Sequence, residues 1–239
     1  MKPAPPSWWQ NRQHLLIDAD DTLWENNRYF EEAIEEFIDF LDHSRLTSVE
    51  VRAVLDEIEL ANTLVHGYGA RSFTRSLRAC YEHLAERHIR DEDLAVVMDF
   101  GERILRQHME VIPGVEETLR VLVDRHDLVL FTKGQHEEQK LKIDRSGLAG
   151  YFSRAVIVSE KDEGTYRRHV AELGFDSART WMVGNSPKSD INPALAAGLN
   201  AVYVPHERTW RLEHQEVAGG EERGRLLVLG RFAELVDHF

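Results

Sequence analysis

Apolar residues follow two different rhythms along this chain. His14-Leu15-Leu16-Ile17 is a short apolar run that stops at a carboxylate, Asp18, and reads as a buried strand. From about Trp24 to Pro113 the spacing is helical and no strand candidate occurs. Phe30, Ile34, Phe37, Ile38 and Leu41 share one helical face. Thr47-Ser48-Val49-Glu50 has the form of a capping box, and Val51, Val54, Leu55 and Ile58 continue a second helix behind it. His66-Gly67-Tyr68-Gly69 breaks the pattern as a loop. Phe73, Leu77, Tyr81 and Leu84 mark a third helix, and Leu94, Val97, Ile104 and Leu105 a fourth.

Beyond Pro113 helices and strands alternate. The pattern predicts helices over Val115–Val123, Glu137–Arg145, Thr165–Leu173, Pro193–Ala197 and Phe232–His238. It predicts strands over Leu128–Phe131, Ala155–Val158, Trp181–Val183, Ala201–Val204 and Leu226–Leu229. Alternation of this kind implies βαβ units and a mostly parallel sheet. The first strand has to join that sheet across the helical stretch. The expected architecture is α/β: a doubly wound parallel core made of residues 1–23 and 113–239, with an all-helical domain, residues 24–112, inserted after the first strand. Residues 1–12, with three prolines in the first six, read as a loose arm carrying Trp8 and Trp9. Residues 206–224 read as a polar surface loop.

Composition narrows the function. A chain of 239 residues with 42% hydrophobic content can build a packed core. A net charge of −13 argues against nucleic acid or an anionic membrane as the main partner, because the long-range field repels both. It does not argue against a small phosphate ester, since one cation and a few lysines can reverse the local potential. Cys80, the single cysteine, excludes an intrachain disulfide and a cysteine-based zinc site, and reads as a packing residue. No run resembles a signal peptide or a bilayer span, so the expected location is cytoplasmic. The histidines lack a His-Glu-x-x-His pattern, and Gly184–Ser189 lacks the second glycine of a Walker loop.

The candidate chemistry begins at Asp18-Ala19-Asp20-Asp21-Thr22. Three carboxylates crowd the exit of a buried strand, where open parallel sheets bind ligands. Such charge needs a cation, and oxygen ligands suit Mg2+. An EF-hand calcium loop would need glycine and glutamate where Leu23 and Tyr29 stand. Three further elements follow later strands: Thr132-Lys133-Gly134, whose hydroxyl and amides suit a phosphoryl oxygen; Lys161, a cation for phosphate; and Gly184-Asn185-Ser186-Pro187-Lys188-Ser189-Asp190, where Asp190 would complete a metal site. Each is weak singly; their order makes the signal.

These motifs resemble, in order, the four motifs of the haloacid dehalogenase-like (HAD) superfamily. The resemblance runs from about His14 to the C-terminus, and the helical insert resembles the α-helical cap of the subgroup that includes phosphoglycolate phosphatase-like enzymes. It implies a Rossmann-like core, Mg2+, and an aspartyl-phosphate intermediate. Asp18 is then the nucleophile and a metal ligand, and Asp20 the acid and base, with its backbone carbonyl on the metal. Thr132 and the amide of Lys133 or Gly134 orient the phosphoryl group, and Lys161 stabilises its charge. Asp190, helped by Asn185, completes the metal shell. Asn185 stands where the family usually has aspartate. The amide weakens the metal site and should leave the charge of Lys161 more available to phosphate. Substrate contacts are expected from Trp24, Asn27, Tyr68 and Arg71, the last two on the His66–Arg71 loop.

The expected function is a Mg2+-dependent phosphatase acting on a small phosphorylated metabolite. One alternative is a 2-haloacid dehalogenase, against which Asp20 argues, because a departing halide needs no proton. Another is a binding protein that has lost the metal through Asn185.

Overall fold

The computed structural model describes residues 12–218 and 224–239. The expected arm with Trp8 and Trp9 lies outside these residues, apart from Arg12. The chain divides into two compact units: Met1–Glu25, Met109–Lys133 and Gln139–Phe239 form one, Asn26–His108 with Gly134–Glu138 the other.

The first unit is built on a sheet of six parallel strands, β1 (His14–Ile17), β2 (Asp127–Lys133), β3 (Arg154–Val158), β4 (Thr180–Gly184), β5 (Asn200–Tyr203) and β6 (Leu226–Val228). Their order is β3-β2-β1-β4-β5-β6, the doubly wound Rossmann-like arrangement. β1 lies at the centre, with Ile17 in register with Leu130 of β2 and Val183 of β4. Strands covered on both faces must be apolar almost throughout. Leu15 and Ile17 accordingly enter one core with Leu130, Trp181 and Val183, while Leu16 enters the other with Val129, Phe131 and Met182. The first core is closed by α5 (Val115–Leu122) through Val115, Leu119 and Leu122, the second by α7 (Glu163–Leu173) through Tyr166 and Val170.

Two differences from the sequence reading occur here. β2 extends through Thr132 and Lys133, so both residues end a strand instead of following one. The last predicted helix is a 3₁₀ turn over Phe232–Asp237, with Phe232 and Leu235, three residues apart, as its buried side chains.

The helical unit contains α1 (Asn27–Leu41), α2 (Ser48–His66), α3 (Ala70–Leu84) and α4 (Asp91–Glu102). Its core joins Ile34, Phe37, Val51, Leu55, Phe73, Leu77, Tyr81 and Val97. α2 starts on the capping box read from the sequence. The Glu50 amide donates to Thr47 Oγ1 at 3.3 Å, and the Thr47 amide donates to Glu50 Oε2 at 2.8 Å. α4 stops earlier than the periodicity suggested and tightens into a 3₁₀ turn over Arg103–Arg106. Gly101 lets α4 approach α3 closely, since a Cβ there would stand 2.2 Å from Thr74 Oγ1 and 2.9 Å from its Cα. The Glu138 carboxylate accepts from the first amides of α3, Ala70 at 2.8 Å and Arg71 at 3.2 Å, which groups 134–138 with this unit.

The boundary falls slightly beyond Leu23. Leu23, Trp24 and Glu25 stay with the sheet unit because the Ile112 amide donates to the Leu23 carbonyl at 2.9 Å, the Glu25 amide donates to the Glu110 carbonyl at 2.9 Å, and Trp24 bridges to Val111.

Candidate active site

Strand order reverses between β1 and β4, and the crevice beyond their carboxyl ends is where doubly wound sheets bind ligands. The sequence places Asp18 immediately after β1 and Asn185 immediately after β4. The Asp18 amide donates to the Val183 carbonyl at 2.9 Å, extending the ladder by one bond and fixing the backbone of the carboxylate.

Lys161 Nζ lies between two acids. It donates to Asp18 Oδ1 at 2.5 Å and to Asp190 Oδ1 at 2.7 Å, and all three side chains are nearly sealed from water. Burial alone would push Lys161 toward the neutral amine, but the two carboxylates outweigh it and its pKa rises. Asp18 is pushed up to about 7, by burial first and by Asp190 second, with Lys161 opposing. One ammonium balances only one of two buried carboxylates, so the cluster holds an excess negative charge. The sequence reading expected the amide at 185 to leave Lys161 available. Instead Asp18 and Asp190 already engage it.

Asp190 owes its position to an unusual turn. Pro187–Ile191 forms a π-type turn, and both the Asp190 and Ile191 amides donate to the Ser186 carbonyl, at 2.8 and 3.1 Å. Asp190 Oδ2 accepts from the Ser186 amide at 2.9 Å. The carboxylate therefore rests on the backbone of Gly184, where a Cβ would stand 2.2 Å from Oδ2 and 2.4 Å from Cγ. Glycine at 184 is required by this packing.

Asn185 and Asp18 converge on one hydroxyl. Thr22 Oγ1 lies 3.1 Å from Asp18 Oδ2 and 3.3 Å from Asn185 Oδ1, while Asn185 Nδ2 donates to Thr209 Oγ1 at 3.0 Å. Asp18 and Asn185 thus present oxygen toward the same point, with no sulfur ligand in the group. An all-oxygen set beside an excess buried negative charge fits a hard divalent cation such as Mg2+. The Asp190 carboxylate, as placed, is engaged by Lys161 and Ser186.

Thr132 is buried and accepts from Gln139 Nε2 at 2.6 Å. Lys133 sends its side chain to Ser189 Oγ and Glu213 Oε1, each at 2.8 Å, while the role expected of it is that of its backbone amide. Glu213 was not legible in the polar loop after β5. It is buried, and it also accepts from Ser186 Oγ at 2.6 Å and from Ser189 Oγ. Burial works to raise its pKa, but Lys133 and the two serine hydroxyls outweigh that and the net direction is down. Residues 206–218 are consequently tied to the 184–190 loop.

The Asp20 carboxylate accepts from Trp24 Nε1 at 2.8 Å, Gln139 Nε2 at 3.1 Å and Lys142 Nζ at 2.8 and 3.0 Å. Trp24 is fully buried with its indole N–H directed to Asp20, so it has no surface to offer a substrate, and that expectation is corrected. Asn27 is also buried, in the first turn of α1. Tyr68 is half-buried, and Arg71 carries an exposed guanidinium 3.9 Å from Glu138. Asp21 has a left-handed backbone, φ 59°, and one of its carboxylate oxygens lies with a carboxylate oxygen of Glu25 and an imidazole nitrogen of His206 in a group within 4.8 Å of one another.

Comparison with known proteins shows the same fold in other chains. The chain is 31% identical to a haloacid dehalogenase-like family hydrolase from Xanthomonas campestris, whose crystal structure aligns with a TM-score of 0.79 over 94% of this chain and 93% of that one. A 2-haloacid dehalogenase from Pseudomonas syringae pv. Tomato DC3000 shares the fold at a TM-score of 0.61 and 18% identity, over 95% of this chain and 97% of its own. Among curated relatives, a phosphoserine phosphatase from Thermus thermophilus is 26% identical over 149 residues, 50% of this chain and 59% of its own. The pyrimidine 5'-nucleotidase PynA of Streptococcus pneumoniae is 28% identical over 110 residues, 43% of this chain and 46% of its own. The chain thus spans about half the length of these curated relatives. No helix among the described residues is long and apolar enough to cross a membrane. The model of the haloacid dehalogenase-like hydrolases matches residues 13–198, a span that holds Asp18, Thr132, Lys161 and Asp190, and the chain belongs to that family.

Proposed function

We propose that the protein is a Mg2+-dependent phosphatase that hydrolyses a small phosphorylated metabolite through an aspartyl-phosphate on Asp18. The observation that carries this reading is the Asp18–Lys161–Asp190 cluster at the switch point of the sheet, 2.5 and 2.7 Å across its two bonds. Phosphoryl transfer asks the protein mainly for placement and for positive charge around the moving group. Asp18 would attack phosphorus in line, and the leaving oxygen would take a proton from Asp20. Asp20 would then remove a proton from the water that breaks the acyl phosphate. The Thr132 hydroxyl and the amides of Lys133 and Gly134 would orient the phosphoryl oxygens, and Lys161 would stabilise their charge. Mg2+, held by Asp18, the Asp20 carbonyl and the Asn185–Asp190 loop, would supply charge neutralisation. Substrate choice is assigned to Tyr68 and Arg71.

Phosphatase names among the relatives support the same chemistry, and the −13 net charge fits a small ligand better than a nucleic acid. The test is phosphate release from an aryl phosphate with Mg2+ and with chelator, for the wild type and for Asp18→Asn. Mg2+-dependent release that Asp18→Asn abolishes supports the reading. Equal release by the variant overturns it, and halide release from a 2-haloacid without phosphate release would favour a dehalogenase.

A further inference from the structure

Asp20 accepts four close contacts from three side chains, which is about the full acceptor capacity of a carboxylate. Two of the donors, Gln139 and Lys142, are three residues apart on α6 (His136–Ser146) and so lie on one face of it. Gln139 is buried, and its amide orientation is fixed by its partners, because an ionised carboxylate can only accept. The same Nε2 that donates to Asp20 also donates to Thr132 Oγ1 at 2.6 Å. With its oxygen accepting from Gln139, the Thr132 hydroxyl directs its own proton away from α6.

We propose that Gln139 and Lys142 form a brace on α6 that positions both Asp20 and Thr132, and that neither residue touches the substrate. This rests on the phosphatase reading of the site. Lys142 holds both oxygens of Asp20 against Trp24, so that the carboxylate has one orientation before a substrate arrives. Gln139 ties that orientation to the direction of the Thr132 hydroxyl. Proton transfer by Asp20 then requires one of these donors to be exchanged for the leaving oxygen or the water. In the first half-reaction Asp20 takes up a proton from solvent as one of these donors leaves; the P–O bond of the ester then breaks, and its oxygen takes that proton as Asp18 Oδ bonds phosphorus. In the second, Asp20 recovers a proton from the water whose oxygen bonds phosphorus as the Asp18 acyl phosphate breaks.

The experiment compares Lys142→Met, Lys142→Arg and Gln139→Leu on p-nitrophenyl phosphate and on β-glycerophosphate. An alkoxide leaves poorly without a proton, whereas nitrophenolate does not need one. Misplacing a general acid forfeits an effect on the order of 10²-fold, so Lys142→Met should lose roughly that much kcat on the alkyl ester and clearly less on the aryl ester, with KM little changed. Lys142→Arg should restore part of the loss. A crystal structure of Lys142→Met should show the Asp20 carboxylate turned away from Trp24. Equal losses on the two esters, or wild-type kcat on both, would overturn the brace. If the wild type cleaves neither ester, the phosphatase reading has failed, and the Asp20 position in the Lys142→Met crystal still decides whether Lys142 holds it.

Discussion

Lys161 Nζ stands 2.7 Å from Asp190 Oδ1, with 1% and 2% of the two side chains exposed. A pair this deep is stable only as long as both members are present. Removing one leaves a buried charge without a partner, which costs about 3–5 kcal/mol. Here the loss of Lys161 would strand two carboxylates. Lys161→Met should therefore lower stability by about that amount at neutral pH, and by less in acid, where the carboxylates protonate. Urea denaturation at several pH values measures this. If the variant folds, phosphate release should fall about 10²–10³-fold, the usual effect of removing one charge-stabilising donor.

The opposite change at Asp18 should stabilise. Its pKa, pushed up to about 7 chiefly by burial, means that the folded state disfavours the carboxylate. Above its unfolded value the ionised group therefore works against folding. Asp18→Asn removes the excess charge while keeping an oxygen toward Lys161. In metal-free buffer at pH 8 the variant should melt higher than the wild type while, on the proposed mechanism, releasing no phosphate. A lower melting temperature would mean that Asp18 is already charge-balanced.

Local signals carried much of this structure. The run Leu15-Leu16-Ile17 became the central strand because full burial on both faces demands a continuous apolar sequence. The capping box at Thr47 worked because both of its bonds are formed within one turn. Asp18, Lys161 and Asp190 were readable as a group only through motif order, since no short-range rule brings Lys161 to Asp18. Part of what failed to show depends on long-range partners. Trp24 reads as a substrate contact from its place just after the first motif, yet its indole closes onto Asp20, four residues away. Glu213 sits in a stretch whose polarity suggests solvent. Its burial depends on Lys133, 80 residues away, and on two serines of a turn whose π geometry no sequence pattern announced. Gln139 and Lys142 had one usable clue, their spacing on the helix after Thr132.

Asn185 invites a direct test of the metal assignment. Its Oδ1 shares the Thr22 hydroxyl with Asp18 Oδ2. Asn185→Asp would add a negative charge at that point, and the affinity of an oxygen cage for a hard cation rises with its charge. The half-saturating Mg2+ concentration for phosphate release should fall. The same variant should melt lower than the wild type in chelator and recover with added Mg2+. Titrations of both proteins at fixed ionic strength decide the matter, and an unchanged half-saturation point would remove Asn185 from the metal's surroundings.

The helical unit carries its own pH dependence, centred on Glu59. This residue lies on the buried side of α2, and its Oε2 has no hydrogen-bond partner. Burial, the largest effect, pushes its pKa up to about 7; Arg52 opposes this, and Asp56 and Glu31 reinforce it. In the unfolded chain the group titrates at the ordinary glutamate value, near 4.5. Between these two values the folded state holds a proton that the unfolded state has released. Stability therefore falls as pH rises through that window, by at most about 3 kcal/mol at 1.36 kcal/mol per unit. Glu59→Gln has no proton to lose there, so its stability should fall less steeply than that of the wild type over the same range, leaving the share that Asp18 contributes. It should be less sensitive to urea than the wild type at pH 8 and lose that advantage near pH 4.5. No tryptophan falls within Asn26–His108, so far-UV circular dichroism and hydrogen exchange at the α2 amides are the suitable probes. If wild type and Glu59→Gln show the same slope of stability against pH, the Glu59 carboxylate has found a partner in solution and is ionised in the folded protein.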